Sequence, residues 1–252
     1  MKYLLLAFLV IFSAKGFAVK NKLKFSLGSY LGEPMVFQSG NFNMAGFYID
    51  LATRIGQEMN VDVSFVEIPR QRLYSFLRRN QYTNISCFTN PLWTQIGDNL
   101  SWSRPYLASK SVFASLGSNN YSINHLQNPG MRIGVIRGYR YEGFLREGFL
   151  AKKLIRVDAE NSVESIGKLL KGEVDALVHH DLELTYHLKK MNLKNKVKVH
   201  QTPYKTYDIY CAFSPQSFIT KVELDRALKK MTDEGFIRSR LNTYYESANQ
   251  CD

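Results

Sequence analysis

The apolar residues between Leu23 and Phe88 change period repeatedly, and this alternation constrains the fold more than any other feature of the chain. Leu23–Leu27 (LKFSL) alternates residue by residue, as a half-buried strand does. From Phe47 the apolar positions fall at 47, 51, 55 and 59, which puts Phe47, Leu51, Ile55 and Met59 on one helical face. Val61–Val66 (VDVSFV) alternates again. Pro69 then opens a helix with Leu73, Phe76 and Leu77 inward, because proline's fixed φ and missing N–H suit a first helical turn. Ile85–Phe88 is a further short strand. Strand–helix–strand–helix–strand predicts a mainly parallel sheet with helices on its faces.

The pattern restarts after the extended Ser109–Leu116 segment and a polar turn. Met131–Ile136 reads as a strand running into Arg137-Gly138-Tyr139-Arg140, and a helical region and the strand Leu154–Val157 follow. Ser162 is expected to cap a helix carrying Val163, Ile166, Leu169 and Leu170. Val174–Val178 is the next strand and ends abruptly in His179, His180 and Asp181; Leu182–Met191 is the next helix. Val197–Val199 and Ile209–Phe213 are strands, and a final stripe at Leu224, Leu228 and Met231 breaks at Gly235 before Ile237 and Leu241. A plain tandem of domains has little use for residues 200–252. The expected division is therefore 19–112 for the first part of lobe 1, 113–199 for lobe 2, and 200–252 returning to complete lobe 1. Two interlobe crossings follow, and the cleft between lobes is the expected pocket.

Met1–Ala18 combines Lys2, an apolar run from Tyr3 to Phe12, and Gly16 and Ala18 at the −3 and −1 positions of a cleavage site. This predicts a secretory signal peptide, 1–18, whose apolar run is too short to span a membrane. No cysteine lies near the cut, so no lipid anchor is expected, and no later apolar run is long enough to span. Cleavage leaves 252 − 18 = 234 residues and lowers the formal charge from 33 − 22 = +11 to +9, as Lys2 and Lys15 depart. The basic residues are scattered rather than striped with aromatics, which together with export argues against nucleic acid. Cys87, Cys211 and Cys251 are an odd number without zinc-like spacing. One bridge is left open, with Cys251 in the tail as a candidate. His125, His187 and His200 show no zinc spacing either, so neither a metal nor a cofactor is expected.

Five pieces in sequence carry a family resemblance: Gly46-Phe47-Tyr48-Ile49-Asp50-Leu51-Ala52, Ser101-Trp102-Ser103-Arg104-Pro105-Tyr106, Arg132-Ile133-Gly134-Val135-Ile136-Arg137-Gly138, Gly172-Glu173-Val174-Asp175-Ala176, and Gly235-Phe236 with Tyr244. Over residues 22–246 the chain resembles the periplasmic type II solute-binding proteins, in the amino-acid-receptor branch (bacterial extracellular solute-binding protein family 3). The resemblance implies an α/β, two-lobed fold, each lobe a mostly parallel sheet flanked by helices. It implies a periplasmic monomer without catalytic activity that closes on a small-molecule solute. An inner-membrane ABC permease or a sensor domain is the implied partner. Receptors of this branch clamp the α-carboxylate with the arginine of a Thr-x-x-Arg segment; the matching stretch here, Cys87-Phe88-Thr89-Asn90-Pro91-Leu92-Trp93, has none. Their small hydroxyl residue after the second-lobe glycine is replaced by Tyr139, with Arg140 next. Their ligand-binding aspartate falls on His180, with Asp181 one step on.

The candidate ligand-binding residues follow from the chemistry of their side chains. Arg140, and less so Arg137, stands where a strand meets a helix N-terminus, and a guanidinium takes a carboxylate bidentately. His180 and Asp181 offer hydrogen bonds to a polar head group, and a histidine would make affinity pH-dependent. His179 should face the opposite side, and Asp175 should support local geometry. Tyr30 and Glu33 lie in the loop after the first strand, Tyr30 as an aromatic wall. Trp93 offers stacking, Tyr139 follows the second-lobe glycine, and Arg70 and Trp102 sit at strand-to-loop junctions. Sixteen Phe and fifteen Tyr favour an aromatic or partly apolar ligand. The expected ligand is thus a small polar or amino-acid-like solute, aromatic or anionic in character. A dehydratase- or lyase-like enzyme on the same scaffold is the alternative, although His180-Asp181 alone do not specify acid–base chemistry.

Overall fold

The computed structural model describes residues 21–28, 30–39, 43–119 and 121–247. The expected signal peptide and Cys251 lie outside them. In chain order the elements are β1 (Lys22–Leu27), β2 (Phe37–Ser39), β3 (Asn43–Ala45), α1 (Phe47–Met59), β4 (Asp62–Glu67), α2 (Arg70–Arg78), β5 (Ile85–Thr89), β6 (Ser101–Trp102) and β7 (Leu107–Leu116). They continue with β8 (Arg132–Ile136), α3 (Gly143–Leu150), β9 (Ile155–Ala159), α4 (Ser162–Leu170), β10 (Ala176–His180), α5 (Asp181–Lys190), β11 (Val197–Val199), β12 (Lys205–Phe213), α6 (Lys221–Asp233) and α7 (Phe236–Ser247).

Two parallel trios of strands are joined through one antiparallel pair. The strand order is β4-β1-β5-β12-β7-β10-β8-β9, with β6 on β12 and β11 on β7. Phe25 of β1 sits opposite Phe65 and Ile85, both in parallel register, and Ile133 of β8 sits opposite Arg156 and Ala176 in the same sense. Between the trios, Lys205–Ile209 of β12 run antiparallel to Leu107–Ser111 of β7, and β12 then continues as Tyr210–Phe213 against β5. These two long strands carry the chain from lobe to lobe. Cys87 in β5 and Cys211 in β12 form a disulfide, so the bridge joins two neighbouring strands rather than reaching for the tail. The sequence could not pair them, because 124 residues separate two strands that only the crossover topology makes adjacent.

Burial divides along the same line. One core draws on Leu23 to Tyr106 and again on Tyr207 to Leu241, including the fully buried Phe25, Phe47, Leu51, Ile55, Leu73 and Leu77. Two smaller cores, one on Ile166, Leu169, Leu177 and Leu184 and one on Phe113, Ile133, Val135 and Leu145, cover the two faces of the second sheet. Each buried side chain of this size contributes about 1.5–3 kcal/mol by leaving water, which is why the apolar period dictates the element.

Two local details differ from the sequence reading. Asn161, not Ser162, caps α4, its side chain accepting a hydrogen bond from the Glu164 amide. Ser162 is thereby the first helical residue, and its hydroxyl turns into the protein. The strand expected at 174–178 lies two residues later: β10 includes both histidines, and all five of its residues are buried. A strand covered on both faces reads as a continuous run, so alternation could not fix its end.

Candidate functional site

The residues that meet between the lobes come from the ends of strands and from the crossing strands themselves. Tyr30 and Leu31 follow β1, Arg70 opens α2, Phe88 is the last residue but one of β5, Ser111 and Tyr207 lie on β7 and β12, Tyr139–Tyr141 follow β8, and His180 ends β10. Together with Trp93 they enclose a narrow cavity with about 30 Å³ of free space. Trp93 is positioned by a single turn, Pro91–Trp93, whose start is capped by the Asn90 side chain; the same amide donates to Asp208 O at 2.7 Å and so fixes the turn to β12. Phe88 takes φ 55°, a left-handed conformation that costs a non-glycine residue about 1–3 kcal/mol and here aims its ring at His180.

The cavity is aromatic and positively charged. The Arg70 guanidinium lies 5.2, 5.0 and 5.7 Å from the ring centroids of Tyr30, Tyr74 and Tyr139. His180 packs against Trp93, Phe88 and Tyr139 at 5.4, 5.8 and 6.0 Å, and Trp93 meets Tyr207 edge-on at 5.4 Å. The His180 ring bonds through Nδ1 to Ser109 Oγ at 3.2 Å. Burial, reinforced by Arg70, holds this imidazole neutral, its pKa lowered to about 4. Across the cleft the Tyr139 hydroxyl donates to Tyr30 O at 3.0 Å, and Lys190 pairs with Glu33 at 2.5 Å. The lobes are closed on one another.

Six of the sequence candidates therefore share one cavity wall: Tyr30, Arg70, Trp93, Tyr139, Arg140 and His180. Three do not. Glu33 faces Lys190 of α5 outside the cavity, Trp102 donates to Gly97 O and packs on Tyr210, and Asp181 accepts from the Leu182 and Lys110 amides. Arg137 pairs with Glu160, and Asp175 anchors Arg132 through its main chain and guanidinium. Leu31, Phe88, Ser111, Tyr141 and Tyr207 also line the cavity and were not singled out from sequence. Tyr207 and Ser111 gave no motif to find, since they belong to crossing strands whose pairing is long-range.

Behind β10, on the face opposite His180, lies a second polar group. Ser162 Oγ is 3.0 Å from both His179 Nε2 and Glu183 Oε2, and all three residues are buried. The set matches a nucleophilic triad in composition only: the hydroxyl bridges the other two groups and is shut away from the cleft. Burial lowers the His179 pKa to about 3 and raises that of Glu183 to about 8. Glu183 thus keeps its proton in the folded chain well above its ordinary 4.5, so its contribution to stability falls as pH rises from 4.5 to 8. His179 and His180 act in the opposite sense, contributing stability above pH 6.5 that is lost as pH falls through their lowered values. Stability should peak about pH 6.5 and decline toward pH 8 with a slope approaching 1.4 kcal/mol per unit. Urea unfolding of Glu183→Gln should lack that alkaline decline, and an unchanged decline would contradict the assignment.

Among the described residues no cluster of His, Cys, Asp or Glu is placed to hold a metal, and no helix is long and apolar enough to cross a membrane. The model of the bacterial extracellular solute-binding proteins, family 3, matches residues 28–247. The chain belongs to that family. As a family 3 solute-binding protein it is a binding protein, and the family works with ABC permeases. The fold recurs in an ancestral amino acid-binding protein, AncCDT-1, a precursor of cyclohexadienyl dehydratase, at 20% identity over 89% of this chain and 95% of that one, TM-score 0.71. It recurs in the arginine-bound AbpA of Streptococcus pneumoniae at 15% identity over 90% and 95%, TM-score 0.70. The glutamate-bound GluR0 ligand-binding core is similar at 14% identity over 91% and 100%, TM-score 0.72. At these identities the likeness speaks for the fold alone. No curated protein matched the sequence.

Proposed function

We propose that this solute-binding protein captures a small anionic, amino-acid-like solute with a planar body in the cavity between its lobes. The observation that carries the reading is the pair of guanidinium groups on an aromatic wall. Arg70 and Arg140 line the cavity and, like several surface arginines, have no carboxylate partner among the described residues, whereas Arg137 in the same loop as Arg140 is paired with Glu160. A positive charge held in a poorly hydrated cleft attracts an anion strongly, and a carboxylate offers two acceptors to one guanidinium. Arg70 supplies from α2 the guanidinium that Cys87–Trp93 lacks. Closure about β7 and β12 brings Arg140 and Tyr139 of one lobe against Arg70 and Tyr30 of the other.

The lobes of this reading are residues 19–112 with 200–252, and 113–199. In this reading export by residues 1–18 delivers the protein to the periplasm, where an inner-membrane ABC permease takes the solute from the closed form. The test is calorimetric titration with 3-phenylpropionate and with L-phenylalanine. For whichever binds the more tightly, Arg140→Ala should weaken binding about tenfold, the loss of one charge-assisted contact at the rim. Unchanged affinity would remove Arg140 from the site.

A further inference from the structure

We infer that the cleft selects aromatic or planar carboxylates that lack an α-ammonium group, and that it discriminates against the corresponding α-amino acids. This rests on the reading of the cavity as the solute site and deepens it. A zwitterion buried between two lobes needs a partner for each of its charges, because an ammonium taken out of water without a counter-ion or acceptors costs several kcal/mol. The cavity offers positive charge twice, at Arg70 and Arg140, and among the described residues no carboxylate lines it.

The carboxyls nearby in sequence do not reach the cavity as anions. Half-buried Asp181 accepts hydrogen bonds from the Leu182 and Lys110 amides, and Glu183, bonded to Ser162 through one oxygen and unpartnered at Oε1, lies behind β10 and keeps its proton through burial. At the end of β10, where His180 reaches into the cavity, the side chain is an imidazole held neutral by burial and by Arg70. It can hydrogen-bond a ligand but cannot balance an ammonium charge.

The rings do not compensate. An aromatic cage attracts a cation when its faces are free. Here Arg70 already lies over the rings of Tyr30 and Tyr139, and a second cation would enter beside a guanidinium. Lys205 likewise lies over the ring of Tyr207, which leaves Trp93 for the flat side of an unsaturated body. The closed cavity has room for little more than water, so the lobes must part to admit a solute. The wall they then present has guanidinium groups for a carboxylate and an aromatic face for a ring, and among the described residues no carboxylate for an ammonium.

The experiment is a set of calorimetric titrations of the mature protein with matched pairs: 3-phenylpropionate against L-phenylalanine, 3-(4-hydroxyphenyl)propionate against L-tyrosine, and indole-3-propionate against L-tryptophan. Each pair shares its ring and its carboxylate and differs by the ammonium group. The acid of at least one pair should bind about tenfold or more tightly than its amino acid, the discrimination expected when one partner brings an unpaired charge into a desolvated site. His180→Asp, checked by circular dichroism for an intact fold, should shift that ratio toward the amino acid by about tenfold, since it places a carboxylate at the cavity wall. Amino acids binding as tightly as their acids, with Arg140→Ala weakening both, would overturn this inference and leave the proposed function standing. No binding by acid or amino acid in any pair would overturn both. A folded His180→Asp variant with the wild-type ratio would also overturn the inference, by removing His180 from the selection.

Discussion

Arg70→Ala is expected to weaken binding of the anionic solute about a hundredfold, a loss of roughly 3 kcal/mol of the size seen when one partner of a desolvated charge pair is removed. The effect should exceed that of Arg140→Ala because the two arginines are held differently. Arg140 is exposed and made fast by no neighbour among the described residues, so it must pay rotamer entropy to engage a ligand. Arg70 is half-buried and already fixed by three aromatic rings. Its guanidinium is therefore pre-organised, and less freedom is lost on binding. Removing it also leaves those rings without their cation, a term of about 0.5–1 kcal/mol for each exposed contact, which would appear in stability rather than affinity. Arg70→Lys separates the two contributions: it keeps the charge and loses the fork, so it should recover only part of the affinity. Isothermal titration together with a thermal melt of each variant reads both quantities. An Arg70→Ala variant that binds like the wild type would show that the guanidinium serves only the packing of Tyr30 and Tyr139.

Gly46→Ala should cost roughly 3–5 kcal/mol of stability, the sum of a backbone conformation closed to other residues and an overpacked contact. Gly46 stands immediately before α1 with φ 123° and ψ 166°. A Cβ there would lie 2.4 Å from Met35 O and 2.8 Å from its carbonyl carbon, both backbone atoms that no side-chain rotation can clear. The close approach has a purpose. Pro34 O and Met35 O accept hydrogen bonds from the Phe47 and Tyr48 amides, so the loop's carbonyls satisfy the free N–H groups of the first helical turn. Moving the loop to admit a methyl would unmake these bonds and loosen Tyr48, whose hydroxyl accepts from the Cys87 amide. For a chain of this length the melting temperature should fall by about 10 °C. A melt within about 2 °C of wild type would mean that the loop accommodates the change at little cost.

The elements were legible where burial is one-sided and local. Phe47, Leu51 and Ile55 could only share a buried face as a helix, and α1 spans Phe47–Met59 as their spacing required. The capping of α4 was misread by one residue because Asn161 and Ser162 are both good caps, and only the packing of Ser162 against His179 and Glu183 decides between them. The cavity wall was partly legible: residues that end a strand or open a helix carried positional meaning, as Tyr30, Arg70, Tyr139, Arg140 and His180 do. Phe88 and Tyr207 carried none: Phe88 follows Ile85 and Cys87 in a short strand and looks like core, and Tyr207 stands between Thr206 and Asp208 with no junction beside it. Glu33, Trp102 and Asp181 stand at comparable junctions, yet each is taken up by another contact.

By itself the sequence determined the two α/β units with their helices and strands, because these depend on periodicity along a short stretch. Only the tertiary structure decided that Cys87 meets Cys211, that His180 is neutral, and that Arg70 from one lobe stacks on Tyr139 from the other. Each of these depends on groups brought together by β7 and β12 across more than sixty residues of chain. Proximity of that kind sets burial and local charge, and it is burial and local charge that turn a row of plausible side chains into one cavity wall.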